Sequence, residues 1–122
     1  MLKPKTICII LGTRPEAIKL APVIQVFQRS PLFNTFVILT GQHREMVEQV
    51  MQLFDLKADR DLEIMLPKQS LSDITCRSLR GLETLFQQIQ PSLVLVQGDT
   101  TTAFAATLAA FYQKIPVGHV EA

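Results

Sequence analysis

Apolar and polar positions alternate in blocks along the chain. Short apolar runs are typical of buried strands, and the longer stretches with apolar residues three or four apart are typical of helices. The predicted strands cover residues 6–11, 36–40, 61–65, 93–97 and 116–120, and the predicted helices cover about 15–29, 44–54, 70–90 and 101–113. Strands that alternate with helices predict right-handed crossovers and a parallel sheet covered on both faces. The pattern therefore indicates an α/β fold.

The helical periodicity also predicts which side chains face the sheet. Pro22 lies inside the first helix, and we expect it to kink or split that helix. Ser70 and Asp73 resemble a capping box that opens the third helix. The predicted inward faces of the first two helices are Ala17, Ile18, Ala21, Ile24 and Phe27, then Met46, Val47, Val50, Met51 and Phe54.

Composition narrows the class of protein. The 122 residues suffice for one domain, and the net charge of +1 comes from 12 basic and 11 acidic residues without a long block of either sign. This predicts no nucleic-acid partner. No apolar run approaches the roughly 20 residues of a membrane span, so we expect a soluble, cytoplasmic protein. Cys8 and Cys76 are predicted to be small buried hydrophobes rather than disulfide or metal partners.

Four turns that follow predicted strands carry most of the candidate chemistry. In an open parallel sheet, ligands bind outside the carboxyl ends of the strands, and these turns should meet there. One turn supplies cations and another a carboxylate, which predicts a site for a charged small molecule. The turns contain Arg14, Glu16 and Lys19; Gln42, His43 and Arg44; Asp99 with Thr100, Thr101 and Thr102; and His119 with Glu121.

Several of these residues also have a purely structural interpretation. Arg14 could be a surface charge, although its position beside a helix N-terminus favours anion binding. Glu16 is best explained by favourable electrostatics at that N-terminus. Asp99 could be an N-cap, but Thr100 and Thr101 can cap equally well.

The histidines and Glu121 differ in how strongly they point to function. A single histidine such as His43 is weak support for a site, and His119 could be a hydrogen-bonded residue of the core. Glu121 follows a buried strand, so its carboxylate needs a partner or a raised pKa.

Three common motifs are absent from the sequence. Residues 12–15 lack the three glycines of the dinucleotide fingerprint, and there is no P-loop. There is also no Gly-x-Ser-x-Gly nucleophile elbow. These absences argue against the dehydrogenase, P-loop NTPase and α/β-hydrolase classes.

Four sequence blocks, in order and on the predicted turns, resemble a known family over essentially the whole chain. The blocks are Gly-Thr-Arg-Pro-Glu-Ala-Ile-Lys at 12–19, Thr-Gly-Gln-His at 40–43, Gln-Gly-Asp-Thr-Thr at 97–101 and His-Val-Glu-Ala at 119–122. With these blocks the chain resembles the non-hydrolysing UDP-N-acetylglucosamine 2-epimerases.

The resemblance implies two Rossmann-like domains in the glycosyltransferase-B arrangement, with the substrate between them. Residues 1–122 would form an incomplete N-terminal domain, and the C-terminal nucleotide-binding domain would be absent. The implied reaction interconverts UDP-N-acetylglucosamine and UDP-N-acetylmannosamine for bacterial polysaccharide synthesis. It proceeds by removal of the C2 proton, anti elimination of UDP and re-addition through 2-acetamidoglucal. No cofactor is implied, and the full-length protein is expected to be a homodimer.

The resemblance also assigns roles to individual residues. Arg14 would contact the diphosphate, and Lys19, Asp99 and Glu121 would be catalytic, without a choice between the two carboxylates as base and acid. Gln42, His43, Thr100 and Thr101 would bind substrate, and no metal is implied. His119 would be mainly structural.

The chain ends at Ala122, where the family continues with Gly-Leu-Arg. We therefore expect the chain to be inactive alone. Three alternatives remain at this point: a hydrolysing relative that releases N-acetylmannosamine and UDP, a non-catalytic remnant that pairs through its unfinished sheet, and a nucleotide-binding module without catalysis.

Overall fold

A five-stranded sheet lies at the centre of the structure, a computed structural model that describes residues 3–121. All neighbouring strands are parallel, and their order across the sheet is β3-β2-β1-β4-β5. The strands are β1 (Lys5–Leu11), β2 (Phe33–Leu39), β3 (Arg60–Asp61), β4 (Leu93–Gln97) and β5 (Val117–Val120). The predicted α/β class, with a Rossmann-like parallel sheet, is confirmed.

Four helices connect the strands: α1 (Arg14–Arg29), α2 (Arg44–Leu53), α3 (Leu71–Ile89) and α4 (Thr101–Tyr112). The predicted capping box is present at the start of α3, where Ser70 and Asp73 each accept a hydrogen bond from the other's backbone N–H. Pro22 does not split α1. Its neighbours Leu20, Ala21 and Ile24 are buried, and this packing offsets the lost backbone hydrogen bond.

The sheet divides the core into two layers, because successive side chains of a strand point to opposite faces. Ile7, Ile9 and Leu11 of β1 pack with α1 and α2 residues on one face. Cys8 and Ile10 pack with α3 and α4 residues on the other. Both faces are thus covered, as the apolar runs predict.

Four expectations from the sequence are wrong in detail. Ile18 and Met46 are exposed at 47% and 52%, because each lies beside the buried stripe of its helix rather than within it. Cys76 is exposed on α3, whereas Cys8 is buried as expected. The third strand is limited to two residues, since Glu63 adopts a left-handed φ of 51° that turns the chain out of the sheet.

The order of the strands reverses direction between β1 and β4. From β1 the chain adds β2 and then β3 on one side, whereas β4 and β5 extend the sheet on the other. Ligands of open α/β sheets bind in the crevice at this switch point. The turns at residues 12–13 and 98–100, which follow β1 and β4, lie beside each other there. No helix within residues 3–121 is long and apolar enough to cross a membrane.

Candidate active site

Glu16 joins the turn after β1 to the turn after β4. Its side chain is only 1% exposed. Oε1 accepts hydrogen bonds from the backbone N–H groups of Gly12 at 2.6 Å and Thr13 at 2.9 Å, and Oε2 accepts one from the hydroxyl of Thr100. The local reason is the spacing of Thr13 and Glu16, which places a carboxylate over the first turn of α1.

Burial and hydrogen bonding act on Glu16 in opposite directions. Desolvation raises the pKa of its carboxyl above the ordinary value, and the hydrogen bonds from Thr100, Gly12 and Thr13 oppose that rise. The expected role at the N-terminus of α1 is present. The contact with Thr100 has no counterpart in the sequence prediction, because it joins residues 84 positions apart.

A close approach between Gly12 and Thr102 brings the turns after β1 and β4 together. A Cβ on Gly12 would lie 1.9 Å from Thr102 Oγ1, so only glycine fits. Thr102 donates a hydrogen bond to Gln42 Oε1 at 2.9 Å. The hydroxyl of Thr40 lies 3.1 Å from that of Thr102 and therefore donates to it. This chain of bonds fixes the side chain of Gln42 and leaves its amide donors available.

The turn that carries Asp99 is held by β5. Gly98 has a φ of +75°, its N–H donates to the carbonyl of Val120 at 3.2 Å, and its own carbonyl accepts a hydrogen bond from His119 Nε2. Asp99 is exposed, and its carboxylate makes no hydrogen bond to the described part of the chain. His119 is exposed on β5 rather than part of the core, and this hydrogen bond joins the end of β5 to the turn that carries Asp99.

Lys19 and Glu121 form an ion pair at the carboxyl edge of the sheet. Both side chains keep substantial exposure, at 43% and 57%. Glu121 follows β5 directly and has a left-handed φ of 55°, which turns its backbone at the strand's carboxyl end. Such a conformation costs energy for a residue with a side chain, and such residues are frequent at functional sites. Ala122 of the fourth sequence block lies outside the described residues.

The remaining predicted residues occupy the rim. Arg14 is exposed at the first position of α1 and forms no ion pair within residues 3–121. His43 is exposed at the start of α2, and its backbone N–H donates to the carbonyl of Gly12 at 3.0 Å. Thr101 is half-buried at the start of α4. Thr100 is the N-cap of α4, with Oγ1 accepting from the N–H of Ala103 at 3.1 Å.

Arg44 differs from Arg14 because carboxylates of its own chain surround it. It lies 3.1 Å from Glu48, 3.3 Å from Asp61 and 3.4 Å from Glu63. The hydrogen bond with Glu48, followed by the charges of Asp61 and Glu48, raises the pKa of its guanidinium. Arg14 is therefore the better placed of the two to receive an external anion.

The carboxyl edge of the sheet carries two cations and two carboxylates among the predicted site residues. The structure pairs Lys19 with Glu121, and leaves Arg14 and Asp99 without charged partners among residues 3–121. Cations can stabilise a departing phosphate, and a pair of carboxylates can take and return a proton. In the same part of the chain, no three His, Cys, Asp or Glu side chains are grouped as a metal site would require.

Comparison with known proteins agrees with the sequence blocks. A family model described as UDP-N-acetylglucosamine 2-epimerase matches residues 25–122. The UDP-N-acetylglucosamine 2-epimerase of Escherichia coli K12 is 55% identical over 113 residues, which are 93% of this chain and 30% of that protein. The chain thus spans about a third of the length of the relatives it matches.

Solved structures give the same result for the fold. The crystal structure of UDP-GlcNAc 2-epimerase from Neisseria meningitidis bound to UDP-GlcNAc is 55% identical, with a TM-score of 0.92 over 96% of this chain and 32% of that one. The enzyme from Methanocaldococcus jannaschii, in complex with UDP-GlcNAc and UDP, is 35% identical, with a TM-score of 0.89 over 96% of this chain and 32% of that one. The family model covers most of the sequence, and the structural match covers nearly all of it. The chain therefore belongs to the UDP-N-acetylglucosamine 2-epimerase family.

Proposed function

We propose that this chain forms one wall of the active site of a non-hydrolysing UDP-N-acetylglucosamine 2-epimerase. The observation that carries the proposal is the ion pair of Lys19 with Glu121 at the carboxyl edge of the sheet, where Arg14 and Asp99 follow the neighbouring strands β1 and β4. The chain belongs to this family, which supports the assignment. Related proteins are crystallised with UDP-GlcNAc or UDP, which supports a UDP-sugar as substrate.

The proposed reaction needs a base, an acid and a cationic diphosphate site. One carboxylate of the pair Asp99 and Glu121 removes the proton at C2 of the sugar, and the C1–O bond breaks to release UDP and 2-acetamidoglucal. UDP then adds back at C1, and a proton returns to the other face of C2. Arg14 stabilises the negative charge that develops on the departing diphosphate, and Lys19 belongs to the network of Glu121.

Four further residues are proposed to hold the substrate. Gln42 presents free amide donors, because its carbonyl oxygen is engaged by Thr102. Thr100 has one lone pair left after donating to Glu16 and accepting from the backbone of α4. His43 and Thr101 complete the set from the rim, where His43 is exposed and Thr101 half-buried.

We further propose that residues 1–122 belong to an incomplete N-terminal domain and that the nucleotide pocket lies in a second domain outside this sequence. The chain covers about 30% of its relatives, which supports this division and an inactive isolated chain. The complete protein is proposed to be a cytoplasmic homodimer. The exposed aromatic side chains Phe104, Phe111 and Tyr112 of α4 offer apolar surface for a further contact.

A titration of the ¹⁵N-labelled chain with UDP-N-acetylglucosamine tests the proposed site. We expect amide shift changes to cluster at residues 12–19, 40–43, 98–101 and 119–121, and to weaken in an Arg14→Met variant. Lys5→Met is the matched control, because Lys5 begins β1 at the opposite end of the sheet. Shifts absent at millimolar ligand, or confined to other surfaces, would contradict the proposal.

A further inference from the structure

Hydrogen bonds hold the turn that carries Asp99 on both sides of that residue. On one side, Gly98 exchanges hydrogen bonds with His119 and Val120 at the end of β5. On the other side, the hydroxyl of Thr100 donates to the buried carboxylate of Glu16. Asp99 itself projects into solvent. Its position is therefore determined by its neighbours rather than by contacts of its own side chain.

We propose that Glu16 is a positioning residue whose carboxylate, through Thr100, orders the 98–101 turn around Asp99 and joins it to the 12–14 turn around Arg14. The inference rests on the proposed function for the roles of Asp99 and Arg14, whereas the coupling of the two turns through Glu16 does not depend on it. Glu16 would thereby set the spacing between the cation and one carboxylate of the site.

The two carboxylate oxygens of Glu16 have different partners, which distinguishes the proposed positioning role from helix capping alone. Oε1 serves the backbone of Gly12 and Thr13, which is all that a cap of α1 requires. Oε2 accepts from Thr100, which is the N-cap of a different helix, α4. Thr100 is free to donate its one hydroxyl hydrogen to Glu16, because it accepts the hydrogen bond from the N–H of Ala103 with a lone pair.

A substitution that preserves the cap of α4 but removes the donor isolates this contact. Thr100→Asp retains an oxygen that can accept from Ala103, since aspartate is a good N-cap. It also places a carboxylate against that of Glu16, so the bond is replaced by repulsion. Thr107→Asp is the matched control, because it makes the same chemical change at an exposed position of α4.

Backbone order parameters from NMR relaxation of the ligand-free chain provide the measurement. We expect Thr100→Asp to lower the order parameters of both the 98–101 and the 12–14 turns from about 0.85 toward 0.6 or less. Thr107→Asp should leave them unchanged, and Thr100→Ser, which keeps the hydroxyl, should also keep the order. If both turns stay rigid in Thr100→Asp, the inference is overturned.

Reversal of the hydrogen bond gives the second test. In the double variant Glu16→Gln with Thr100→Asp, the new amide can donate to the new carboxylate, and we expect order to return in both turns. A double variant as mobile as Thr100→Asp alone would overturn the inference. Should Thr100→Asp fail to fold, folding of the double variant is the expected rescue, and its failure counts against the inference. In that case Thr100→Val, which removes the donor without adding charge, gives a further test. It must lower the order parameters of the 12–14 turn.

Titration of the same samples with UDP-N-acetylglucosamine separates the two proposals. Restored order without any ligand-induced shifts at the site would contradict the proposed function and leave the positioning role intact. Ligand-induced shifts that are as strong in Thr100→Asp as in the unsubstituted chain, with unchanged order, would overturn the positioning role alone.

Discussion

Lys19 and Glu121 form an ion pair although 102 positions separate them in the sequence. The pair spans from α1 to the residue that follows β5, so it brings the first and last of the family's sequence blocks into contact. Both side chains remain partly exposed, and exposed pairs contribute only about 0–1 kcal/mol to stability. Its small contribution to folding is compatible with the catalytic role proposed for both residues.

Lys19→Met should therefore separate stability from ligand response. We expect the free energy of unfolding in urea to fall by less than about 1 kcal/mol, because the pair is exposed to solvent. Ligand-induced shifts around Glu121 should nevertheless be lost in the titration with UDP-N-acetylglucosamine. Lys5→Met is the control for loss of a positive charge, and equal ligand responses in the two variants would refute the role of Lys19.

Gly12→Ala should be strongly destabilising for steric reasons. The new methyl group would lie 1.9 Å from Thr102 Oγ1, which forces the turns after β1 and β4 apart. Overpacking of this kind costs about 1–3 kcal/mol, measurable as a lower free energy of unfolding in urea.

The matched comparison for that substitution is Gly98→Ala. Nothing lies within 4 Å of a Cβ at Gly98, but its φ of +75° disfavours a side chain. We expect Gly98→Ala to lower the free energy of unfolding by only about 1–2 kcal/mol, which is the conformational penalty for a side chain at this φ. A larger loss of stability for Gly98→Ala than for Gly12→Ala would show that the two turns are not closely packed.

Acid should weaken the start of α3 through Asp73. The hydrogen bonds from the backbone and side chain of Ser70 lower the pKa of the Asp73 carboxyl in the folded chain. Its stabilising contribution is therefore complete above the unfolded pKa and is lost as pH falls through the lower, folded pKa.

Asp73→Asn should remove this part of the pH dependence. Urea unfolding from neutral to acidic pH should show a smaller loss of stability for the variant than for the unsubstituted chain. Glu83→Gln, on the exposed side of the same helix, serves as control. Parallel pH curves for Asp73→Asn and the unsubstituted chain would be incompatible with the capping role.

The two cysteines should differ sharply in reactivity. Burial raises the pKa of the Cys8 thiol to about 12, and the nearby charge of Asp59 adds to the rise. Cys76 is exposed on α3. Because the thiolate is the reactive form, an aromatic disulfide reagent at mildly alkaline pH should titrate one thiol in the folded chain and two in denaturant. Rapid reaction of both thiols without denaturant would show that β1 is accessible.

The sequence predicts the helices and most strands because its apolar runs and caps are local signals. Capping by Ser70 and Asp73 and the burial of β1 both follow from spacing along the chain. Of the kink or split expected at Pro22, the split does not occur, because contacts with the sheet stabilise the helix on both sides of the proline. The local pattern of residues does not include the stabilisation that such tertiary packing provides.

In the candidate site, too, the sequence predicts some features and not others. That four turns meet at the carboxyl edge follows from the alternation of strands and helices. The contacts of Glu16 with Thr100 and of Gly12 with Thr102 join segments far apart in sequence. They depend on the order β2-β1-β4, which periodicity alone does not specify.

A chimeric enzyme tests whether this chain forms part of an epimerase active site. The matching 113-residue segment of the Escherichia coli relative would be replaced by that of this chain, and the products formed from UDP-N-acetylglucosamine in D₂O would be identified by NMR. We predict UDP-N-acetylmannosamine with deuterium at C2, and at least about a hundredfold loss of turnover on Asp99→Asn, as expected for a lost acid or base. A folded chimera that forms no epimer, or releases free N-acetylmannosamine instead, would contradict the proposed non-hydrolysing epimerase function.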